Sequence, residues 1–328
     1  MANMDSKELS VKDFMQTLML GVLNDDIIES YVLALNENGV TAENIFDAAT
    51  VMRQFSKQVV IHDKIYLVDT CGTGGDGIQT FNVSTLSAIV AASAGVKVAK
   101  HGGRSVSSKC GSADVLEALG VNVNLTADKV VSLVNEIGIA FMFAPNFHPA
   151  MRYAAPVRKK LGVRTIFNVL GPLANPASAT HQVLGVYEAS LTETMAEVLS
   201  QLGSEHVMVV HGEDGMDEIS ISSETRISEL KNKSITTFTI KPTDFGLNMA
   251  DLKTIQVENV DASKAMMLDV LEGHQGPHCD ITLLNAGAAI YVSGLTSTLK
   301  EGIEKAALVI DQGLALKKLE ALKAASHG

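Results

Sequence analysis

The sequence predicts an α/β protein: a small helical domain, then a large α/β domain with a mainly parallel central sheet flanked by helices. Three observations carry this. Apolar residues are 46% and charged residues 19% of the 328, a globular balance with ample material for a core. Up to about residue 60, apolar positions recur only at the helical 3.6-residue spacing. From Tyr66 onward, short apolar runs alternate with helical stretches, the pattern of parallel βαβ units.

The helical block reads as three helices. Ser10 caps the first, with Phe14, Leu18 and Val22 on one face. A second runs from about Asp26 through Ile28, Tyr31, Val32 and Leu35 to Asn38-Gly39. Thr41 caps a third, carrying Ile45, Ala48, Val51 and Met52. Strands are then expected at Leu67-Val68, Val96–Ala99, Ile139–Phe143, Val183–Tyr187, Val207–His211 and Ile235–Ile240. Helices are expected at Ser84–Ala94, Ser112–Leu119, Ala127–Ile137, Leu191–Leu202, Ala262–Leu271, Ile281–Val292 and Leu299–Ala325. Pro145–Pro176 breaks the alternation: it holds five of the seven prolines and a helical stretch at Met151–Leu161. We read it as a segment crossing back to the helical domain. That domain is then discontinuous, residues 1–66 with about 145–180, and the α/β domain is 67–144 with 181–328.

Composition excludes several classes. No apolar run reaches the ~18 residues that span a bilayer, so no membrane partner is expected. The polar, acidic MANMDSKELSVKDF is no signal peptide, and a cytoplasmic location is expected. A net charge of −11 and the absence of Trp argue against a nucleic-acid partner. Cys71, Cys110 and Cys279 form no CxxC pair, which argues against a zinc site or a disulfide framework.

Chemistry concentrates in three loops. Gly72-Thr73-Gly74-Gly75-Asp76-Gly77 follows a strand, and Asn82-Val83-Ser84-Thr85 opens the next helix. Glycines admit a ligand close to the backbone, and successive N–H groups at a helix N-terminus can hold phosphate; the alternative is a tight turn with an N-cap. The spacing fits neither a dinucleotide fingerprint nor a P-loop. A second loop, Lys100 to Ser112, carries three cations, His101 and several serines, which suits a flap over a polyanion or a solvated surface loop. His211-Gly212-Glu213-Asp214-Gly215-Met216-Asp217-Glu218 ends a strand with four carboxylates. Hard oxygens there suit Mg²⁺, or else form a plain acidic turn.

DTCGTGGDG, FNVST, KHGGRSVSSKCGSADVLEALG, FAPNFHPAMRYAAPVRKKLGVRTIFNVLGPLANP and HGEDGMDEIS together resemble the anthranilate phosphoribosyltransferase family, in order and in register from about Ser10 to Gly313. The resemblance implies transfer of the phosphoribosyl group of 5-phosphoribosyl 1-diphosphate to the amine of anthranilate, in tryptophan biosynthesis, by a homodimer formed through the helical domains. It implies that Gly72, Gly75, Asp76, Thr80, Asn82, Val83, Ser84 and Thr85 hold the donor. Lys100, His101, Gly102, Gly103, Arg104, Ser105, Val106, Ser107 and Ser108 would close over it, with Ser112 behind. Two Mg²⁺ ions would use Ser84, Asp217 and Glu218. Gly72, Gly103, His148 and Arg158 would face the aromatic acid, with Arg158 on its carboxylate, although His148 could equally be structural. The family's flap usually reads KHGN, and Gly103 here replaces that Asn, removing a side-chain donor toward the acceptor.

The implied reaction asks little of side chains, because an aryl amine is already nucleophilic. Lys100 and Mg²⁺ would serve the departing pyrophosphate and the sugar's anomeric carbon would invert. A pyrimidine nucleoside phosphorylase, similar in fold and phosphate loop, would lack the Asp217-Glu218 pair, and a non-catalytic nucleic-acid or partner-binding relative fits poorly with the charge.

Overall fold

The computed structural model describes residues 9–104 and 110–328. Ser105, Val106, Ser107 and Ser108, expected in the flap, lie outside them.

Three helices come first: α1 (Val11–Met19), α2 (Asp25–Asn38) and α3 (Ala42–Gln54), with side-chain caps from Ser10, Asn24 and Thr41. Val22 is not on the buried face of α1. The helix ends before it, Gly21 turns at φ +72°, and Val22 is 67% exposed. The sheet follows, built from β1 (Leu67–Gly72), β2 (Lys97–Gly102), β3 (Ile139–Phe143), β4 (His181–Gly185), β5 (His206–Gly212), β6 (Thr225–Lys231) and β7 (Ser234–Ile240). The strand order is β3-β2-β1-β4-β5-β6-β7; the first five are parallel and the last two antiparallel.

Four strands depart from the sequence expectation by two residues or more. β2 continues to Gly102, taking Lys100 and His101 out of the expected loop, and β4 lies two residues earlier than expected. β1 runs past Leu67-Val68 into the glycine loop, because Cys71 and Gly72 still find register partners in Leu184 and Gly185. Thr225–Lys231 has no expected strand, since TRISELK reads as polar; its charges Arg226, Glu229 and Lys231 take the less buried positions of an alternating strand.

The intervening helices are α4 (Val83–Ser93), α5 (Ser112–Ala118), α6 (Ala127–Ile137), α7 (Ala144–Phe147), α8 (Ala155–Leu161), α9 (Phe167–Leu170) and α10 (Leu191–Gln201). After β7 come α11 (Val260–Leu271), α12 (Pro277–Val292), α13 (Leu299–Asp311) and α14 (Leu314–His327). The expected single helix from Leu299 to Ala325 is two helices, broken where Gly313 adopts φ +67°. Likewise Met151–Leu161 is not one helix. A 3₁₀ turn at Pro149–Tyr153 precedes α8, whose first turn holds a proline.

Side chains alternate across the sheet, so each strand feeds two cores. Val183, Met208 and Val210 join α4 and α12 on one side. Leu184, Val207 and Val209 join α10, the N-terminal helices and the crossing segment on the other. Hydrogen bonds also tie the N-terminal block to that segment: Arg53 Nε donates to Leu173 O (2.6 Å), Asn36 Nδ2 to Arg164 O (2.8 Å) and Lys57 N to Phe147 O (2.8 Å). Strand order reverses between β1 and β4, and the crevice at the carboxyl ends of such neighbours is where open α/β sheets bind ligands.

Candidate active site

At that crevice the end of β1 passes into the glycine loop. Gly74, Gly75 and Gly77 take φ of +65°, +76° and +76°, which a side chain would resist. Thr73 N donates to Gly185 O (2.9 Å) and Gly74 N to Asp217 Oδ2 (2.7 Å). The Asp217 backbone packs so tightly on β4 that a Cβ on Gly185 would lie 1.5 Å from Asp217 O. Thr80 sits further along, in a bridge to Gln256.

The N-terminus of α4 adjoins the loop. Ser84 N donates to Glu218 Oε1 (3.1 Å), and Thr85 Oγ1 to Ser112 Oγ (3.0 Å). Val83 is buried, so only its backbone can reach a ligand. Asn82 does not cap α4 with its side chain; Oδ1 instead accepts from Ser263 Oγ (2.7 Å) and Cys110 Sγ (3.0 Å). Lys100, on β2, is buried with its ammonium donating to Thr70 O and to Ser84 Oγ (3.3 Å). Beneath it the buried Asp69 accepts from His101 N (3.1 Å) and Asn175 Nδ2 (2.8 Å). Burial pushes the Asp69 carboxyl upward, and the Lys100 charge opposes that rise.

The acidic loop after β5 divides its four carboxylates. Asp214 folds the turn, accepting from Ser220 Oγ, Ser222 Oγ and Met216 N. Asp217 and Glu218 face the glycine loop and α4. Burial and then the neighbouring Asp217 raise Glu218 to about 8, and the same two causes raise Asp76 to about 7. Asp217 itself is raised by burial. Crowded carboxylates of this kind bind protons unless a cation replaces them.

His101 and His148 lie edge to face with ring centroids 5.0 Å apart. Among the described residues each Nε2 is buried without a partner, while the other ring nitrogen is satisfied by the carbonyl of Gly171 or Ala174. Burial lowers His101 to about 3 and His148 to about 4, so both stay neutral and each presents an acceptor lone pair. Arg158 stands over the Phe167 ring at 5.7 Å, and its guanidinium has no hydrogen bond or ion pair among the described residues. Gly103 O accepts from Ala113 N (3.1 Å), and no described residue beyond its chain neighbours lies within 4 Å of where its Cβ would be. Arg104 is engaged elsewhere: it pairs with Asp114 (2.7 Å) and Glu117 (2.6 Å) on α5 and lies 5.4 Å over Phe143.

The family model for the glycosyl transferase family, a/b domain, matches residues 64–316. The anthranilate phosphoribosyltransferase of Methylobacillus flagellatus is 54% identical over 96% of this chain and 92% of its own length. The chain belongs to the anthranilate phosphoribosyltransferase family. The crystal structure of the Thermus thermophilus enzyme superposes with a TM-score of 0.92 at 40% identity, covering 99% of this chain and 96% of that one. The Saccharomyces cerevisiae enzyme in complex with PRPP and Mg gives 0.88 at 31% identity, over 98% and 94%. The same yeast enzyme in complex with 4-fluoroanthranilate gives 0.87 at 31% identity, over 97% and 92%.

Magnesium fits the residues present. Among the described residues no three His, Cys, Asp or Glu side chains could hold a metal by themselves. Asp217, Glu218 and the Ser84 hydroxyl offer only hard oxygens, leaving the remaining positions to phosphate and water, as Mg²⁺ prefers. Several participants escape a reading of the sequence. Asp69 had one signal, a lone acid within an apolar strand. Arg164 sits inside a family motif without a marked role, and Ser263 had none.

Proposed function

We propose that this site transfers the phosphoribosyl group of 5-phosphoribosyl 1-diphosphate to anthranilate, giving N-(5-phosphoribosyl)anthranilate and diphosphate. The observation that carries the reading is the meeting of Glu218, Ser84 and Lys100 at the carboxyl ends of β1 and β2. There a helix N-terminus, a buried ammonium and paired carboxylates converge on one small volume. That combination suits a pyrophosphate arriving with a divalent cation.

In the step itself the amine nitrogen attacks the anomeric carbon as the bond from that carbon to the pyrophosphate oxygen breaks. The carbon inverts, the electron pair leaves on pyrophosphate, and the nitrogen sheds one proton. Bound Mg²⁺, two ions in this reading, would neutralise charge on the departing group. Lys100 would add a cation beside Ser84, and the loop amides would orient the phosphates. Arg158 would pair with the acceptor's carboxylate, and the Nε2 lone pairs of His101 and His148 would accept N–H groups in a water-poor wall. Thr80, Asn82, Thr85 and Ser112 complete the donor side of the proposal. Asp76, Gly72 and Gly75 line its loop, with His101, Gly102 and Gly103 leading into the flap. In the conformation seen, Arg104 serves α5 instead.

The reading includes two domains with the boundaries given above, a cytoplasmic location in tryptophan biosynthesis, and a homodimer through the helical domain. Exposed Leu20 and Val22 lie on that domain. An assay following the loss of anthranilate fluorescence with donor and Mg²⁺ tests the reaction, and sedimentation velocity tests the dimer. No loss of fluorescence, or a monomer at working concentration, would remove the corresponding part.

A further inference from the structure

Gly75, Asp76 and Gly77 form the middle of the glycine loop, and their backbone N–H groups have no hydrogen-bond partner among the described residues. The Gly75 carbonyl, in contrast, is taken: Arg164 Nη2 donates to it. A trans peptide is planar, so its C=O and the following N–H point in opposite directions. Fixing the Gly75 carbonyl on the Arg164 side therefore aims the Asp76 N–H away from Arg164. Without that hold, a Gly-Gly-Asp-Gly stretch is free to flip this peptide.

Arg164 is itself held from two further directions. Its guanidinium lies 4.1 Å over the Tyr187 ring. Tyr187 N in turn donates to Thr73 Oγ1 (3.1 Å), at the start of the same loop. The Arg164 carbonyl accepts from Asn36 Nδ2 of α2 at 2.8 Å. A planar fork that stacks and donates at once suits this place better than the point charge of a lysine.

We propose that Arg164 is a positioning residue for the sugar donor: it orients the Gly75–Asp76 peptide so that the loop's free amides meet the pyrophosphate, and it ties that loop to α2. This rests on the donor reading above. Loss of Arg164 therefore weakens the donor complex while leaving the acceptor side alone.

The test is steady-state kinetics and calorimetric titration of 5-phosphoribosyl 1-diphosphate with Mg²⁺ into wild type, Arg164→Ala, Arg164→Lys and Asn36→Ala. For Arg164→Ala we expect the donor KM and Kd to rise about tenfold, the loss of roughly one charge-assisted hydrogen bond. The anthranilate KM should stay within about twofold, and Arg164→Lys should recover only part of the loss. Asn36→Ala should shift donor affinity the same way by a smaller factor, and it stands in should Arg164→Ala fail to fold. Equal rises in both KM values, unchanged donor affinity, or full rescue by Lys would overturn the proposal. Should wild type bind donor but leave anthranilate intact, the reaction assignment fails while the donor titrations still decide the role of Arg164.

Discussion

Arg158 faces no competing acid: among the described residues its guanidinium is engaged only with the Phe167 ring. Replacing it with Ala should raise the anthranilate KM by tenfold or more, since a charge-assisted pair is worth roughly 1.5–3 kcal/mol, while the donor KM stays near wild type. Equal changes in both constants would make Arg158 structural. Gly103 differs from most loop glycines here in lacking a positive φ, and among the described residues nothing crowds its Cβ position. Gly103→Asn should therefore enter without strain, stiffen the flap and tighten anthranilate up to about tenfold with donor affinity unchanged. Calorimetry that finds weaker or unchanged anthranilate binding would instead mark Gly103 as fitted to this chain's own acceptor. His148 gives a pH signature. Its native pKa is lowered to about 4, against about 6.5 when unfolded, so the unfolded chain binds the extra proton between those values. Stability from this group is complete above about pH 6.5 and is lost as pH falls toward 4. The raised carboxylates Asp76 and Glu218 act in the opposite sense, so the difference between wild type and His148→Gln isolates the histidine. Urea unfolding from pH 4 to 7 should show that difference shrinking as pH falls, and a flat difference would contradict it. At this scale the sequence disclosed what is packed into contiguous motifs, such as the glycine loop, NVST, Lys100 and Asp217-Glu218. It was silent where a residue matters through a distant partner, as Ser263 does on Asn82 and Asp69 does beneath Lys100.

Among the elements, the contact that sets the position of Asp217 is between the tip of β4 and the loop after β5. Gly185 belongs to no glycine-rich run, yet the Asp217 backbone occupies the place of its Cβ. Gly185→Ala must displace Asp217. We expect a clear drop in melting temperature together with weaker Mg²⁺-dependent donor binding, whereas Gly203→Ala, with open space at its Cβ, should show only its backbone cost. Loss of stability with intact donor binding would mean that the loop repacks without moving Asp217. Most elements were legible because their apolar spacing is undiluted: β3 and α6 match the expectation residue for residue. β6 was hidden because a half-buried antiparallel strand spends alternate positions on charge. The break between α13 and α14 was hidden because Gly313 interrupts an apolar pattern that resumes at once in nearly the same phase.

For the whole molecule, topology explains why remote segments converge. The chain lays down β1, β2 and β3 in one direction, returns through the crossing segment, and places β4 and β5 on the other side of β1. The glycine loop, Lys100 and the acidic loop thereby meet at the carboxyl ends of the strands, and the return passage brings His148 beside His101 of β2. The Pro-rich composition of 145–176 marked that passage in the sequence, but which hydrogen bonds anchor it, such as Arg53 to Leu173, depends on long-range geometry. The proposed reaction makes one demand above the others: pyrophosphate and metal would meet at Asp217 and Glu218. The most direct test is a Mg²⁺ titration of turnover in wild type, Asp217→Ala and Glu218→Ala, with folding checked by circular dichroism. We expect saturable Mg²⁺ dependence in wild type and at least a roughly hundredfold loss of kcat in both variants, as removal of a key electrostatic group commonly costs. Wild-type turnover in both variants across the whole titration would contradict the assignment.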